Sequence, residues 1–457
     1  MDAAGLPELE KSLSEGAIRT VVCAIPDMWG RLMGKRLTTK AFLEALSGPG
    51  GVHASSYLFA SDMEMEPRPG FKLTNWADGF SDFIMRPDLS TFRILPWQDG
   101  TALVLCDAIE EHTGEHLGMA PRTILKKQLE RAERLGLTFK CATELEFFLF
   151  RTDYDEAWKK RYRDLAPTSR YRADYHILQS TRDEDFVGLI RDRLAGAGVI
   201  VENAKTEWGL GQQEITLKYC DALLMADRHA IYKHWVKEAA SEFGYSATFM
   251  AKPFIEEVGS SCHIHASLWD RETSNPISYD ADGPAGMSDR FSSFVAGLIE
   301  GGRDYSYLFA PSINSYKRFQ DESFAPCQMV LGVDNRTCGF RLVGQGASFR
   351  VESRMPGADA NPYLALAGVI SSGLDGVEAG LPAPAVHEGN AYENRSLPRV
   401  PSNMRDAVAL FSGSELVRSA LGADVHEHLA NFATQELRCF EQETVTDWEM
   451  MRYFERI

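Results

Sequence analysis

Residues 141–150 read CATELEFFLF. The run ends in Phe and Leu that any protein core accepts, yet it carries Glu144 and Glu146 two positions apart. In a β-strand alternate side chains share a face, so both carboxylates point to one side. A carboxylate beside buried aromatic rings is costly unless a cation or hydrogen bonds compensate it. The stretch therefore raises the question of what compensates two glutamates on one face of a core strand.

Three other stretches repeat the pattern. GQQEI (211–215) sets Glu214 beside an apolar neighbour. CHIHAS (262–267) places His263 and His265 on one face, and FRVESR (349–354) does the same with Arg350, Glu352 and Arg354. Singly, these read as a solvated strand face, a structural histidine pair and a surface ion-pair ladder. Together they describe an oxygen-rich cage with imidazole, suited to Mg2+ or Mn2+. Arginines on the same strands suit phosphate or carboxylate, which a guanidinium grips with two parallel hydrogen bonds. Carboxylates, divalent ions and arginines at one place are the components of phosphoryl transfer.

The rest of the chain sets limits on this reading. With 457 residues, 44% apolar and 25% charged, the sequence has the profile of a soluble globular protein. Its net charge of −17 and lack of a basic block argue against nucleic acid. No apolar run is long enough for a membrane span. The N-terminal MDAAGLPELEKSLSEG is acidic and amphipathic, unlike a signal peptide. The eight cysteines form no CxxC pair, so reduced thiols and a cytoplasmic location are expected.

Strands are predicted over 17–26, 101–109, 213–219, 246–253, 262–269 and 347–356. Helices are predicted over 121–136, 183–197, 221–243 and 360–374, and the last ~50 residues read as largely helical. The polar stretch EEHTGEHLG (110–118) marks a boundary near residue 115. The expected class is α+β, with domains over 1–115 and 116–457.

CATELEFF, GLGQQE, FMAKP, SSCHIHAS, NSYKRF, DNRT, FRVESR and ADANPYLA occur in the order and spacing of the glutamine synthetase family. The chain resembles that family from about residue 17 to its C-terminus. The resemblance implies a small N-terminal β-grasp-like domain and a large catalytic domain built on a curved antiparallel sheet. It implies that Glu146, Glu207 and Glu214 ligate one metal, and Glu144, His263 and Glu352 a second, with two to three Mg2+ or Mn2+ ions per site. Gly259, Arg318 and Arg354 match residues that hold L-glutamate. Arg336, Arg341 and Arg350 match residues that contact ATP phosphates and the moving phosphoryl group. His265, Ser267 and Glu202 match the nucleotide side. The family also implies a cytoplasmic homo-oligomer, a dodecamer of two hexameric rings, with each site shared between neighbouring subunits.

Several departures bear on the nitrogen donor. Ammonia-using members carry a glutamate immediately before the Ala-Pro of NSYKRFQDESFAP (314–326), where this chain has Phe324. A phenyl ring neither accepts a proton nor attracts ammonium by charge, though it offers apolar surface and a π-face. The Asp-Gly-Ser-Ser run of those members is also missing, with Asp62 a stand-in, and Val258 replaces an asparagine before Gly259. These changes point to the γ-glutamylamine ligase branch, joining glutamate to a primary amine through γ-glutamyl phosphate. A small monoamine is expected, for which Phe324, Tyr57 and Phe59 are pocket candidates. The alternatives are a polyamine, with Asp62, Glu64 or Glu66 receiving its second ammonium; ammonia, with Asp321 or Glu322 replacing the flap acid; and a non-catalytic relative. Tyr392 falls where many bacterial members are adenylylated.

Overall fold

The computed structural model describes residue 13 and residues 16–47 and 51–456. The acidic N-terminal stretch therefore lies almost wholly outside the described residues.

The N-terminal part forms a six-stranded sheet from β1 (Thr20–Pro26), β2 (Leu32–Thr38), β3 (Val52–Ser55), β4 (Asp82–Pro87), β5 (Arg93–Ile94) and β6 (Thr101–Ile109). The order is β2-β1-β6-β4-β3, with β5 on β6. β1 and β6 run parallel, and a helix over Thr39–Ser47 follows the β1-β2 pair. β6 is buried at every position, as its continuous apolar sequence TALVLCDAI requires of a central strand.

The second sheet has nine strands: β7 (Leu137–Phe150), β8 (Val201–Thr206), β9 (Gln212–Leu217), β10 (Cys220–Asp221), β11 (Ser246–Thr248), β12 (Cys262–Asp270), β13 (Leu331–Val333), β14 (Phe340–Val343) and β15 (Arg350–Ser353). Its order is β13-β14-β15-β12-β7-β9-β8, with β10 and β11 also on β7. The expected antiparallel sheet is in fact mixed, because β13 and β14 are parallel. The loop between them brings the chain back to the end where β13 began. Asp334 at φ 47° and the Asn335 side chain, which accepts from Thr337 N, shape that return.

Element boundaries differ from the sequence expectation in several places: the strand expected over 347–356 keeps only Arg350–Ser353, and the helix expected over 360–374 runs Pro362–Ala379. The segment 246–253 keeps only the three residues of β11 as strand. The helix expected from residue 183 spans Ile177–Gly196. Its first turn exposes Ile177 and Leu178, so that turn has no amphipathic signal.

One face of the large sheet packs on the helix Ala222–Glu242, whose Tyr232 and Trp235 are buried, and the helix Pro362–Ala379 lies behind it. The two parts of the chain are joined at Arg122, in the first turn of the helix Pro121–Arg134. Its buried guanidinium donates twice to Asp227 at 3.0 Å and to Asp88 at 2.7 Å, and it also pairs with Asp107. Asp88 and Asp107 come from the N-terminal part, so four charges lock it to the part that carries the large sheet.

Candidate functional site

Sheet register builds the site. His263 on β12 lies directly across from Glu144 on β7, and His265 across from Glu352 on β15. Glu352 in turn faces Arg341 on β14. On the other side of β7, Glu146 faces Glu214 on β9, and Glu214 faces Lys205 on β8. Direct cross-strand partners share a face. The register thus sets Arg341-Glu352-His265, His263-Glu144 and Glu146-Glu214-Lys205 as three neighbouring rows on one side of the sheet.

Two groups of possible ligands result. Glu144, His263 and Glu352 bring ligand atoms within 4.8 Å of one another, and so do Glu146, Glu207 and Glu214. These are the two sets that the family resemblance implied. His263 Nδ1 lies 3.4 Å from Glu144 Oε2 and 3.5 Å from Glu352 Oε1. Burial, then the charge on Arg354, push His263 down to about 4, against the pull of Glu144. The imidazole is therefore neutral at pH 7, the form that ligates a metal. Burial and repulsion from Glu207 push both Glu146 and Glu214 above the usual carboxylate range. A bound cation would take the place of the protons that burial favours on Glu146 and Glu214. Oxygen donors with one neutral imidazole fit Mg2+ or Mn2+.

These six candidate ligands line a cavity of about 840 Å3 together with Gly259, Arg318, Phe324, Arg336, Arg341 and Arg354. Gly259 has no room for a side chain. A Cβ there would meet Ala251 O and Arg318 Cγ, each at 2.6 Å. Arg318 is fully buried, donating to Met355 O at 2.9 Å, to Arg354 O at 2.7 Å and to Ser261 Oγ at 3.2 Å. Its guanidinium thus fixes the backbone that carries Arg354. Arg354 donates to Glu352 and, at 3.2 Å, to Phe324 O. Arg341 donates to Glu352 Oε2 at 2.7 Å and also pairs with Asp334.

Four expected residues lie outside the cavity wall. His265 Nε2 contacts Glu144 Oε1 at 2.9 Å, and Arg350 Nε donates to His265 Nδ1 at 3.1 Å. His265 thus touches Glu144 directly, and Arg350 is linked to it only through His265. Ser267 lies further along β12, donating to Lys140 O at 3.3 Å. Glu202 lines an adjoining groove of about 630 Å3, which shares Asn203 and Ala204 with the cavity.

The N-terminal candidates are not brought to the cavity of their own chain. Asp62 is buried, and its carboxylate accepts from Glu66 N at 2.8 Å and Arg68 Nε at 2.6 Å. Phe59 is buried against Phe83, with ring centroids 5.2 Å apart. A side chain committed to its own turn or core cannot also serve as an open pocket wall. Asp321 forms ion pairs with Arg395 at 2.7 Å and Arg399 at 3.0 Å, and Glu322 is exposed away from the cavity lining. Tyr392 is buried, with its hydroxyl donating to Ala325 O at 2.8 Å.

The sequence reading missed Asp174, Tyr175, Lys205 and Trp208, which also line the cavity. The only hint in the sequence was Lys205 two residues before Glu207, a basic side chain on the face of the acidic row.

A family model described as glutamine synthetase, catalytic domain, matches residues 118–453. The chain is 45% identical over 453 residues to gamma-glutamylethanolamide synthetase of Streptomyces coelicolor, spanning 99% of this chain and 96% of that protein. It is 36% identical over 443 residues to glutamate-isopropylamine ligase of a Pseudomonas species, spanning 96% of each. Among solved structures, ligand-free GmaS superposes with a TM-score of 0.85 at 27% identity, over 98% of this chain and 99% of that one. With similarity along nearly its whole length and both acid clusters in register on the sheet, the chain belongs to the glutamine synthetase family.

Proposed function

We propose that this chain is an ATP-dependent ligase that joins the γ-carboxylate of L-glutamate to a small primary monoamine. The observation that carries the reading is Phe324. It lines the cavity where ammonia-using members hold a flap acid, while Asp321 is taken by Arg395 and Arg399. One relative named for a γ-glutamylethanolamide product and one named for an isopropylamine substrate support the same reading.

The residues divide the work as follows. Arg354 and Gly259 orient glutamate, with Arg318 holding Arg354 in place. Arg336 and Arg341 face the phosphates of ATP and stabilise charge on the phosphoryl group as it moves to the γ-carboxylate. Glu144, His263 and Glu352, and Glu146, Glu207 and Glu214, would hold divalent ions, which would supply positive charge to offset the phosphates. His265 contacts Glu144, and Arg350 reaches it only through His265. The amine then displaces phosphate from the acyl carbon, and Phe324 covers its apolar part against water.

The enzyme is further read as a homo-oligomer, a dodecamer by family pattern, working in the cytoplasm. Two features support shared sites. The Asp62 loop does not reach its own cavity, and Trp448, Met451 and Phe454 near the C-terminus are exposed apolar side chains. No helix among the described residues is long and apolar enough to cross a membrane.

The test is phosphate release with glutamate, ATP and a panel of ammonia, methylamine, ethanolamine, isopropylamine, putrescine, spermidine and aniline. A small monoamine is expected to give the highest kcat/KM. Ammonia ahead of every amine would restore glutamine synthetase. Light scattering at assay concentration checks the oligomer, and a fully active monomer would refute it.

A further inference from the structure

Lys205 is the one lysine in the cavity wall. It lies on β8, directly across from Glu214. Its Nζ is 2.5 Å from Glu207 Oε1 and 3.1 Å from Asp174 Oδ1. The same ammonium sits 4.0 Å from the centre of the Tyr175 ring. Beside it, Arg172 pairs with Glu257 at 3.1 Å, and its guanidinium lies 5.3 Å from the Trp208 ring centre. Tyr175, Trp208 and Phe324 remain exposed where they line the cavity. The chain's own cations therefore already occupy Asp174, Glu207 and Glu257 and lie against the rings of Tyr175 and Trp208.

We propose that Lys205 is a specificity-determining residue that admits amines with a single amino group and rejects those bearing a second cationic group. The proposal rests on the ligase reading above and deepens it. A diamine at neutral pH brings a second ammonium, which needs a carboxylate or an aromatic face to offset its lost hydration. Asp174 and the Tyr175 ring are the groups that would receive it, and Lys205 holds both. A diamine entering here either leaves its far ammonium unpaired or sets it against a like charge. Both outcomes are the repulsive element that specificity requires. A monoamine presents only a hydrocarbon or hydroxyl tail to the same rim, which the exposed aromatic rings accept. The plainer role, in which Lys205 only neutralises the acid cluster, makes a different prediction. Its loss would then weaken every amine alike.

Butylamine and putrescine differ by one terminal ammonium, so their kcat/KM ratio isolates the effect, with ethanolamine as a second monoamine. The wild-type enzyme is expected to favour the monoamines. Lys205→Gln should raise putrescine relative to the better monoamine by about tenfold or more. Lys205→Arg, which keeps the charge, should keep the wild-type ratio. An unchanged ratio in Lys205→Gln with monoamine turnover retained overturns the proposal. So does loss of turnover with every amine, because a residue that only selects among amines is not needed for the phosphoryl step. A wild-type preference for putrescine overturns it as well. Ammonia ahead of all amines in the wild type would instead remove the ligase reading itself.

Discussion

Arg354 donates from Nη2 to the carbonyl oxygen of Phe324 at 3.2 Å, while its Nη1 donates to Glu352. One guanidinium thus ties a candidate metal ligand to a residue of the cavity wall proposed to cover the amine. Phe324 holds φ 60°, a left-handed backbone that favours glycine or asparagine. A non-glycine residue kept in that conformation beside the acidic rows marks a loop whose position the site itself fixes.

Replacing Phe324 by glutamate should move the donor preference towards ammonia. The carboxylate would offer charge and a proton acceptor where the ring offers neither. The ratio of kcat/KM for ammonia over that for ethanolamine is expected to rise by about tenfold, the scale of one well-placed interaction. An unchanged ratio in an active variant would show that Phe324 does not set the donor.

Glu144→Ala and Glu352→Ala each remove one donor from the same candidate metal set. Turnover should fall by at least about 100-fold, beyond what loss of a supporting residue costs. Titration with Mn2+ should show the weakened site directly. His265→Ala, which removes a contact to Glu144 and leaves the donors in place, should cost less. Near wild-type rates at low Mg2+ in either glutamate variant would refute the ligand assignment.

Metal-free protein should lose stability as pH rises above neutral. Burial and Glu207 raise Glu146 and Glu214 above the ordinary carboxylate value of about 4.3. Between that value and the raised one, the folded state holds protons that the unfolded state has released. Unfolding free energy then decreases with increasing pH, because fewer protons are bound in the unfolded state. A divalent cation takes the place of those protons. Mg2+ or Mn2+ should therefore raise Tm more at pH 8 than at pH 5, and binding at pH 7 should release protons, read by calorimetry in two buffers. Equal Tm gains at both pH values would contradict this.

Arg122→Ala should destabilise the fold by about 3–5 kcal/mol, because it removes the ion pair of the buried Asp227 and leaves Asp107 with Lys126 as its remaining cation. Denaturant unfolding of the metal-free protein measures the loss. A double variant, Arg122→Ala with Asp227→Asn, should recover part of it. A single variant within about 0.5 kcal/mol of wild type would mean that the two parts of the chain are held together by packing alone.

The sequence by itself determined the family, and its strand patterns singled out five of the six metal-ligand candidates, with Glu207 added by the family resemblance alone. The reason is local: a strand places residues i and i+2 on one face, so ELE, HIH and RVESR announce a charged face before any contact is known. It also located the flap change at Phe324, because that position is set by its neighbours in the chain. Tertiary structure decided which glutamate joins which histidine, since cross-strand register depends on how distant strands pair. It decided that Asp62 and Asp321 are spent on their own arginines, which only side-chain geometry reveals. It also placed Lys205 against Asp174 and Glu207, 31 and 2 residues away in the chain. Spacing on one strand shows which face a side chain is on, but which charge across the sheet compensates it is settled only when the strands meet.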